Sequence, residues 1–527
     1  VIIRPSAAVR FAGEDYSLGL KTLSEQSASL ASGLRAAGVR PGDRVGLLMG
    51  NEPDFLRGLF ALSRLGAAAC PLPLPAGGRD AYVGRVQGIL RTAGVRDVLV
   101  SARLARLGAL TGRALEGARA LGTAELEGHA GTVDGPAVPA SAEAVVQFTS
   151  GSTARPKGVR LTQANVLAGL RAISAGIALR PDSDRAAVWL PLFHDMGLFG
   201  LLSAVLTGAD ATVWTPSAFV KRPERWLREM TADGCTACAM PNFAYDYLCD
   251  GVAAEDVPGL DLGRWRVAFN GAEPVADAAL RRFARHFAPA GFRPTAMMPV
   301  YGMAEATLAV TFPPLGREPR TDWADRRALA GDGLARPVPA GTAHARPLVS
   351  VGSAVAGLEI RITGESGVLP ERRIGEIEVR GASVTDGYVG DVAQPFTADG
   401  WLRTGDLGYL ADGELYVTGR RKEMMTLRGE NHYPEDVERA VREHRLVHRR
   451  RCAAYSQPGE DGGSIVLVVE STAREGAERD AFVAELRGMV RSDAGLDEVD
   501  VRVVPPDTIP RTSSGKLRRL ALASLPG

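Results

Sequence analysis

The stretch Gln147-Phe148-Thr149-Ser150-Gly151-Ser152-Thr153-Ala154-Arg155-Pro156-Lys157-Gly158-Val159 decides how the rest of the chain is read. Positions 149–158 hold four hydroxyl side chains, two glycines and a lysine, set between two apolar runs. The spacing predicts a strand at 144–146 and a second one resuming at 159–161. Such a loop offers backbone N–H groups, hydroxyl donors and a cation to a polyphosphate. A Walker A loop would end in Gly-Lys-Ser/Thr and open a helix. Here Lys157 follows Pro156 and the chain runs on into a strand. Taken alone, the stretch supports equally an ATP cradle on another fold and a surface loop between strands.

Bulk composition narrows the class. A chain of 527 residues exceeds what one hydrophobic core serves, so two or three domains are expected. Lys plus Arg number 62 against 61 Asp plus Glu, which leaves no net field to recruit nucleic acid or an anionic membrane. No apolar run approaches the roughly 18 residues of a membrane span, and no signal-peptide pattern opens the chain. A cytoplasmic enzyme is expected. The five cysteines are too few and scattered for a disulfide scaffold. Cys235 and Cys238 form a C-x-x-C, but no second pair or histidine follows at zinc spacing, so both are read as core residues.

Outward from the opening stretch, strand-like and helical runs alternate, as in an α/β protein. Helices are expected at 23–37 and 54–65, and strands at 44–49, 98–100, 186–190, 211–214 and 265–269. Residues 313–347 break this rhythm: Pro, Arg, Asp and Gly rise and hydrophobic periodicity fades, marking a functional or loosely held excursion. Residues 351–379 read as short alternating strands. Asp412-Gly413 signals a hairpin leading into a strand at 414–417. From about 421 the tail reads as helix 434–443, strand 465–469 and helix 479–490, enough for a separate domain.

Four further segments carry chemistry. Phe269-Asn270-Gly271-Ala272-Glu273-Pro274 ends a strand at a turn where a ligand can approach the backbone. Val300-Tyr301-Gly302-Met303-Ala304-Glu305-Ala306-Thr307 adds an aromatic ring and a carboxylate. Trp401-Leu402-Arg403-Thr404-Gly405-Asp406-Leu407-Gly408 sets an acid on a tight loop. Pro510-Arg511-Thr512-Ser513-Ser514-Gly515-Lys516 sets a lysine in a Ser/Gly-rich loop. Each is weak alone; their order and spacing are specific.

Together with the opening loop, these segments resemble the adenylate-forming superfamily of acyl-CoA synthetases, peptide-synthetase adenylation domains and luciferases. Within it the chain is most similar to fatty acyl-AMP ligases, through Trp189-Leu190-Pro191-Leu192-Phe193-His194-Asp195-Met196-Gly197-Leu198, Pro241 to Asp246, and Arg428 to Asp436. The resemblance covers essentially the whole chain. It implies a large N-terminal domain (1–420) of stacked mixed β-sheets with flanking helices and a β-rich subdomain, and a small mobile α+β lid (421–527). It also implies that 313–347 is a subgroup insertion that restrains the lid and disfavours CoA.

Carried over residue by residue, the resemblance places ATP phosphates on Thr149, Ser150, Gly151, Ser152, Thr153 and Lys157. It places adenine against Tyr301, with Gly271, Ala272, Glu273, Gly302, Met303 and Ala304 around the nucleotide. Glu305 would hold Mg²⁺, for which one carboxylate plus phosphate oxygens suffices. Asp406 would hold the ribose hydroxyls, Arg420 the ribose or phosphate, and Lys516 would bridge the attacking carboxylate and the α-phosphate. Lys422 sits at the hinge position, and His194, Asp195 and Phe243 at the acyl pocket. Against these stand plainer readings: an exposed loop lysine for 157, a core tyrosine for 301, a capping acid for 305, a turn aspartate for 406 and a solvated lysine for 516. Ala304 stands where the wider family has a threonine, removing a hydroxyl contact to phosphate.

The activity so implied is ATP- and Mg²⁺-dependent activation of a fatty acid to acyl-adenylate, with transfer to the phosphopantetheine thiol of an acyl carrier protein. An acyl-CoA ligase is the alternative, and a non-catalytic adenylate-binding protein the third reading. The basic run 444–451 could dock an acidic carrier or be a solvated face; its arginines argue against metal at His444 and His448.

Overall fold

The computed structural model describes residues 6–14, 16–75, 78–106, 108–127, 137–149, 157–342, 344–390, 392–427, 430–457, 463–512 and 515–525. The expected phosphate contacts at Ser150, Gly151, Ser152 and Thr153 lie outside them, as do Arg428, Gly429, Ser513 and Ser514. Contacts divide the chain into two compact units. The first comprises Val1–Pro319, Val351–Glu359 and Val379–Leu402; the second comprises Arg320–Ser350, Ile360–Glu378 and Arg403–Gly527.

Two mixed sheets frame the first unit. The seven-stranded sheet runs, in spatial order, Met297–Pro299, Val267–Gly271, Ala237–Pro241, Arg185–Val188, Asp210–Val213, Ala8–Phe11 and Tyr16–Gly19. The six-stranded sheet runs Arg119–Gly122, Asp97–Val100, Arg44–Leu48, Ala68–Pro71, Glu143–Thr149 and Lys157–Thr162. In each, every pairing is parallel except the one at a sheet edge: Ala8–Phe11 with Tyr16–Gly19, and Glu143–Thr149 with Lys157–Thr162. Parallel strands are covered on both faces, which accounts for their nearly continuous apolar runs. Helices Gln163–Gly176 and Asp195–Thr207 pack on one another; the first lies against the six-stranded sheet and the second against the seven-stranded one. The two sheets are thus stacked about a shared helical layer.

The expected elements appear with small shifts. The strand expected at 186–190 stops at Val188. Beyond it the Leu190 carbonyl leaves the ladder and accepts from the Asn51 amide at 2.9 Å. Cys235 and Cys238 are buried, and burial drives the Cys235 thiol up to about 12. Among the described residues no cluster of potential metal ligands occurs, and no helix is long and apolar enough to cross a membrane.

In the second unit, much of the 313–347 excursion is ordered. Thr321–Asp325 and Ala345–Val349 pair antiparallel, and Ala324, Leu329 and Leu348 share a core with Tyr409 and Tyr416. Asp412 and Gly413 adopt φ of +53° and +72°, consistent with a type I′ turn joining Leu402–Ala411 to Glu414–Arg420. The tail folds as a three-stranded sheet (Cys452–Gln457, Ser464–Glu470, Asp500–Val504) covered by helices Pro434–Val441 and Ala477–Ala494. Val437, Leu467, Phe482 and Leu486 fill its core, each side chain contributing about 1.5–3 kcal/mol on burial.

Candidate active site

Lys157 opens its strand at the point where the ladder from Thr149 closes, with Thr149 and Lys157 in register. The segment 385–389 is stitched to this strand: Arg160 N donates to Gly387 O at 3.0 Å and Val389 N to Gly158 O at 2.8 Å. A Cβ at Gly158 would meet Val389 Cγ2 at 2.5 Å, so this approach requires glycine. The same segment reaches the turn of Glu305, where Thr385 N donates to Glu305 O at 2.7 Å. Between these two attachments stands Tyr388. Its hydroxyl donates to Glu305 Oε1 at 2.7 Å, and Lys157 Nζ lies 4.7 Å from its ring centroid. Burial, the Glu305 charge and this hydrogen bond raise the phenol far above its ordinary value, so it remains a donor. The fold therefore brings together Lys157 and Glu305 through a tyrosine that the sequence reading did not single out.

Glu305 sits in a 3₁₀ turn followed by two non-glycine residues at positive φ, Thr307 at +51° and Leu308 at +81°. Thr307 Oγ1 donates to Ser383 O at 2.8 Å, holding this strained turn. Ala272 is likewise at φ +66° beside Gly271. Gly271 and Gly302 have packing reasons of their own: a Cβ would come within 2.8 Å of Val300 Cγ2 in one case and 1.9 Å of Leu308 O in the other. Tyr301 and Met303 are half-buried on the short strand after Val300, and Ala304 is buried. Glu273 accepts from Phe243 N at 2.5 Å, tying the 271–274 turn to the start of helix Asn242–Gly251.

A narrow apolar slot opens between helices Gln163–Gly176 and Asp195–Thr207 and the seven-stranded sheet, with a cavity volume of about 50 Å³. Ile173, Ile177, Val188, Met196, Ala237 and Phe269 are among the residues lining it. His194 and Asp195 sit at the head of one wall helix, beside lining residue Met196, whereas neither they nor Phe243 line the slot. Two buried amides missed by sequence reading hold the segment before His194. Gln147 Nε2 donates to Phe193 O at 2.8 Å, and Asn51 bonds Leu190 O, Trp214 O and Leu192 N.

In the second unit, Asp406 is buried and paired in register with Arg420, whose Nε donates to Asp406 Oδ1 at 3.0 Å. Asp406 N donates to Thr404 Oγ1 at 3.1 Å. Lys422 is exposed in the turn Arg421–Glu423. Lys516 is half-buried in a closed loop: Thr512 N donates to Lys516 O at 2.8 Å, Lys516 N to Thr512 Oγ1 at 3.1 Å, and Arg511 bridges to Leu517. Three residues of the basic run are paired with acids. Arg450 pairs with Glu443 at 3.0 Å, Arg451 with Glu470 at 3.3 Å and with Asp507, and His444 with Glu485 at 2.8 Å.

The sequence profile of AMP-binding enzymes matches residues 4–389. The chain belongs to the AMP-binding enzyme family. A Caulobacter vibrioides protein named "Putative acyl-CoA synthetase" is 35% identical over 510 residues, covering 94% of this chain and 88% of that protein. A long-chain-fatty-acid–AMP ligase of Mycobacterium marinum is 34% identical, covering 91% and 86%. Among solved structures, a fatty acyl-adenylate ligase from work on the E. coli and L. pneumophila enzymes superposes with TM-score 0.90 at 32% identity, covering 98% of this chain and 95% of that one.

Proposed function

We propose that this AMP-binding family enzyme is a fatty acyl-AMP ligase that passes its product to the phosphopantetheine thiol of an acyl carrier protein. The observation that carries this reading is the likeness over nearly the whole chain to a fatty acyl-adenylate ligase and a long-chain-fatty-acid–AMP ligase, and the narrow apolar slot is in keeping with an alkyl tail. In the first half-reaction a carboxylate oxygen of the acid attacks the α-phosphorus of ATP. The bond from that phosphorus to the bridging oxygen breaks, and pyrophosphate leaves. In the second, the carrier's thiol sulfur attacks the acyl carbon, AMP departs and the thiol proton is released.

The residues divide this work by their chemistry. Lys157, beside Thr149 at the end of the opening loop, meets negative charge growing on the departing phosphates. Tyr301 and the 271–273 turn receive adenine, and the fixed Asp406 carboxylate accepts from the ribose hydroxyls with Arg420 beside it. Lys516 lowers the repulsion between the acid's carboxylate and the α-phosphate. Lys422, exposed in a short turn, is the hinge around which residues 421–527 act as a lid over a domain of residues 1–420.

Glu305 fits a magnesium ion. Its carboxylate is a hard oxygen donor, half-buried and oriented by the Tyr388 hydroxyl. A site with one carboxylate and several phosphate oxygens is the kind Mg²⁺ takes. Bound there, the ion supplies charge neutralisation to the phosphates.

The acyl-CoA synthetase name of the Caulobacter relative favours a second reading, in which CoA is the acceptor. Incubation with ATP, Mg²⁺ and a panel of carboxylic acids, followed by mass analysis with CoA or holo-carrier added, separates the two. Acyl-adenylate converting to acyl-carrier is expected. Abundant acyl-CoA would select the second reading, and no adenylate from any acid would leave a non-catalytic adenylate-binding protein.

A further inference from the structure

Tyr388 lies 83 positions beyond Glu305 and farther still from Lys157, yet its side chain touches both. Its hydroxyl is 2.7 Å from Glu305 Oε1, and its ring centroid is 4.7 Å from Lys157 Nζ. We propose that Tyr388 is a positioning residue of the adenylation reaction, fixing the metal-holding carboxylate through its hydroxyl and the phosphate-facing ammonium through its ring. The proposal rests on the fatty acyl-AMP ligase reading of this same site.

Three features make the contact a device rather than an accident of packing. First, the tyrosine is itself held: its N–H donates to Gln394 Oε1 at 2.8 Å, and it forms a bridge with Val159, two residues beyond Lys157. Second, its neighbours join both structures it serves, through Arg160 N to Gly387 O and Thr385 N to Glu305 O. Third, the two halves of the phenol suit the two charges. A carboxylate accepts a hydrogen bond from the hydroxyl, and an ammonium is drawn to the ring face. A single uncharged side chain thereby steadies an anion and a cation without neutralising either.

Two substitutions separate the halves. Tyr388→Phe removes the hydroxyl and keeps the ring; Tyr388→Leu removes both. Binding of Mn²⁺ to protein saturated with a non-hydrolysable ATP analogue, followed by electron paramagnetic resonance, reads the carboxylate without turnover. Loss of one charge-assisted hydrogen bond should weaken Mn²⁺ by about tenfold in both variants. Binding of the analogue in the absence of metal reads the lysine, and should weaken several-fold in Tyr388→Leu while staying unchanged in Tyr388→Phe. In pyrophosphate exchange, Tyr388→Phe should lose kcat with the acid's KM unchanged.

Unaltered Mn²⁺ affinity in a folded Tyr388→Phe protein overturns the proposal, as does metal-free nucleotide binding that weakens equally in both variants. A Tyr388→Phe protein that melts far below wild type would make the hydroxyl a structural bond and likewise overturn it. If wild type forms no acyl-adenylate from any acid, the ligase reading fails by itself. The Mn²⁺ and nucleotide titrations still decide whether Tyr388 positions Glu305 and Lys157.

Discussion

Arg519 Nε donates to Glu423 Oε2 at 3.0 Å, joining the turn that carries Lys422 to the chain three residues beyond Lys516. The arginine is buried, with Glu438 and Glu435 also against it and the Ala454 carbonyl accepting from Nη1 at 2.9 Å. Removing the cation would strand three carboxylates, so Arg519→Met should destabilise the unit by about 3–5 kcal/mol. Glu423→Gln is the milder change. It keeps an acceptor and should move the melting midpoint by only a few degrees, on the order of 1 kcal/mol. If this bond sets the relation of the hinge turn to the lysine loop, Glu423→Gln should nonetheless slow pyrophosphate exchange several-fold. Exchange at the wild-type rate would show the bond to be purely structural.

A second buried pair governs acid stability. Burial alone would raise Asp184, but hydrogen bonds from Arg266, the Arg180 amide and Thr236 outweigh it and hold the carboxyl below its ordinary value. A depressed folded value means the unfolded chain binds more protons in that window, so stability rises with pH there. The contribution is complete above the unfolded value of about 4 and disappears as pH falls through the folded one. Asp184→Asn should cost about 3 kcal/mol at pH 7. Urea melts of wild type and variant should converge as pH drops below about 4; a constant gap would refute this account.

The opening stretch foretold its own surroundings because both flanking runs are locally complete. Strands expected at 144–146 and 159–161 pair directly with each other as Glu143–Thr149 and Lys157–Thr162. Asp412-Gly413 was equally legible, since the turn type is written in two residues. The pairing of Thr321–Asp325 with Ala345–Val349 was not, because its apolar partners Tyr409 and Tyr416 come from a distant hairpin. Tyr388 was hidden for a related reason. No pattern in its own neighbourhood marks it until the fold sets it against Glu305, 83 positions away. Nor does any pattern announce Thr307 and Leu308 at positive φ, where glycine would have been expected.

Lys516, proposed above to act in adenylation, offers a clean deletion. Its loop is closed by backbone and Thr512 contacts, none of which uses the lysine side chain. Lys516→Ala should therefore keep the Thr512–Lys516 backbone contacts and leave ATP binding largely intact. Adenylation should fall by about a hundredfold or more, the scale of losing one preorganised charge at a transition state. Near-normal pyrophosphate exchange in this variant would sink the assignment.

Gly200 provides a test of the slot that does not threaten the fold. It lies in the middle of helix Asp195–Thr207, lines the cavity, and a Cβ there would meet nothing within 4 Å. Replacing a helix-interior glycine gains about 0.8–1 kcal/mol, which offsets much of the roughly 1–3 kcal/mol cost of fitting a leucine into a narrow space, so Gly200→Leu should shift the melting midpoint by only a few degrees. The new side chain would project into the space proposed for the acyl tail. Specificity should move toward shorter acids, with kcat/KM for the longest substrates falling about tenfold or more relative to medium chains, each lost methylene contact being worth about 1–3 kcal/mol. Competition assays over a series of saturated acids, read as pyrophosphate release, measure the shift. A chain-length profile identical to wild type, in a protein of normal stability, would mean that the tail lies elsewhere and that the slot between Ile173 and Ala237 is only imperfect packing.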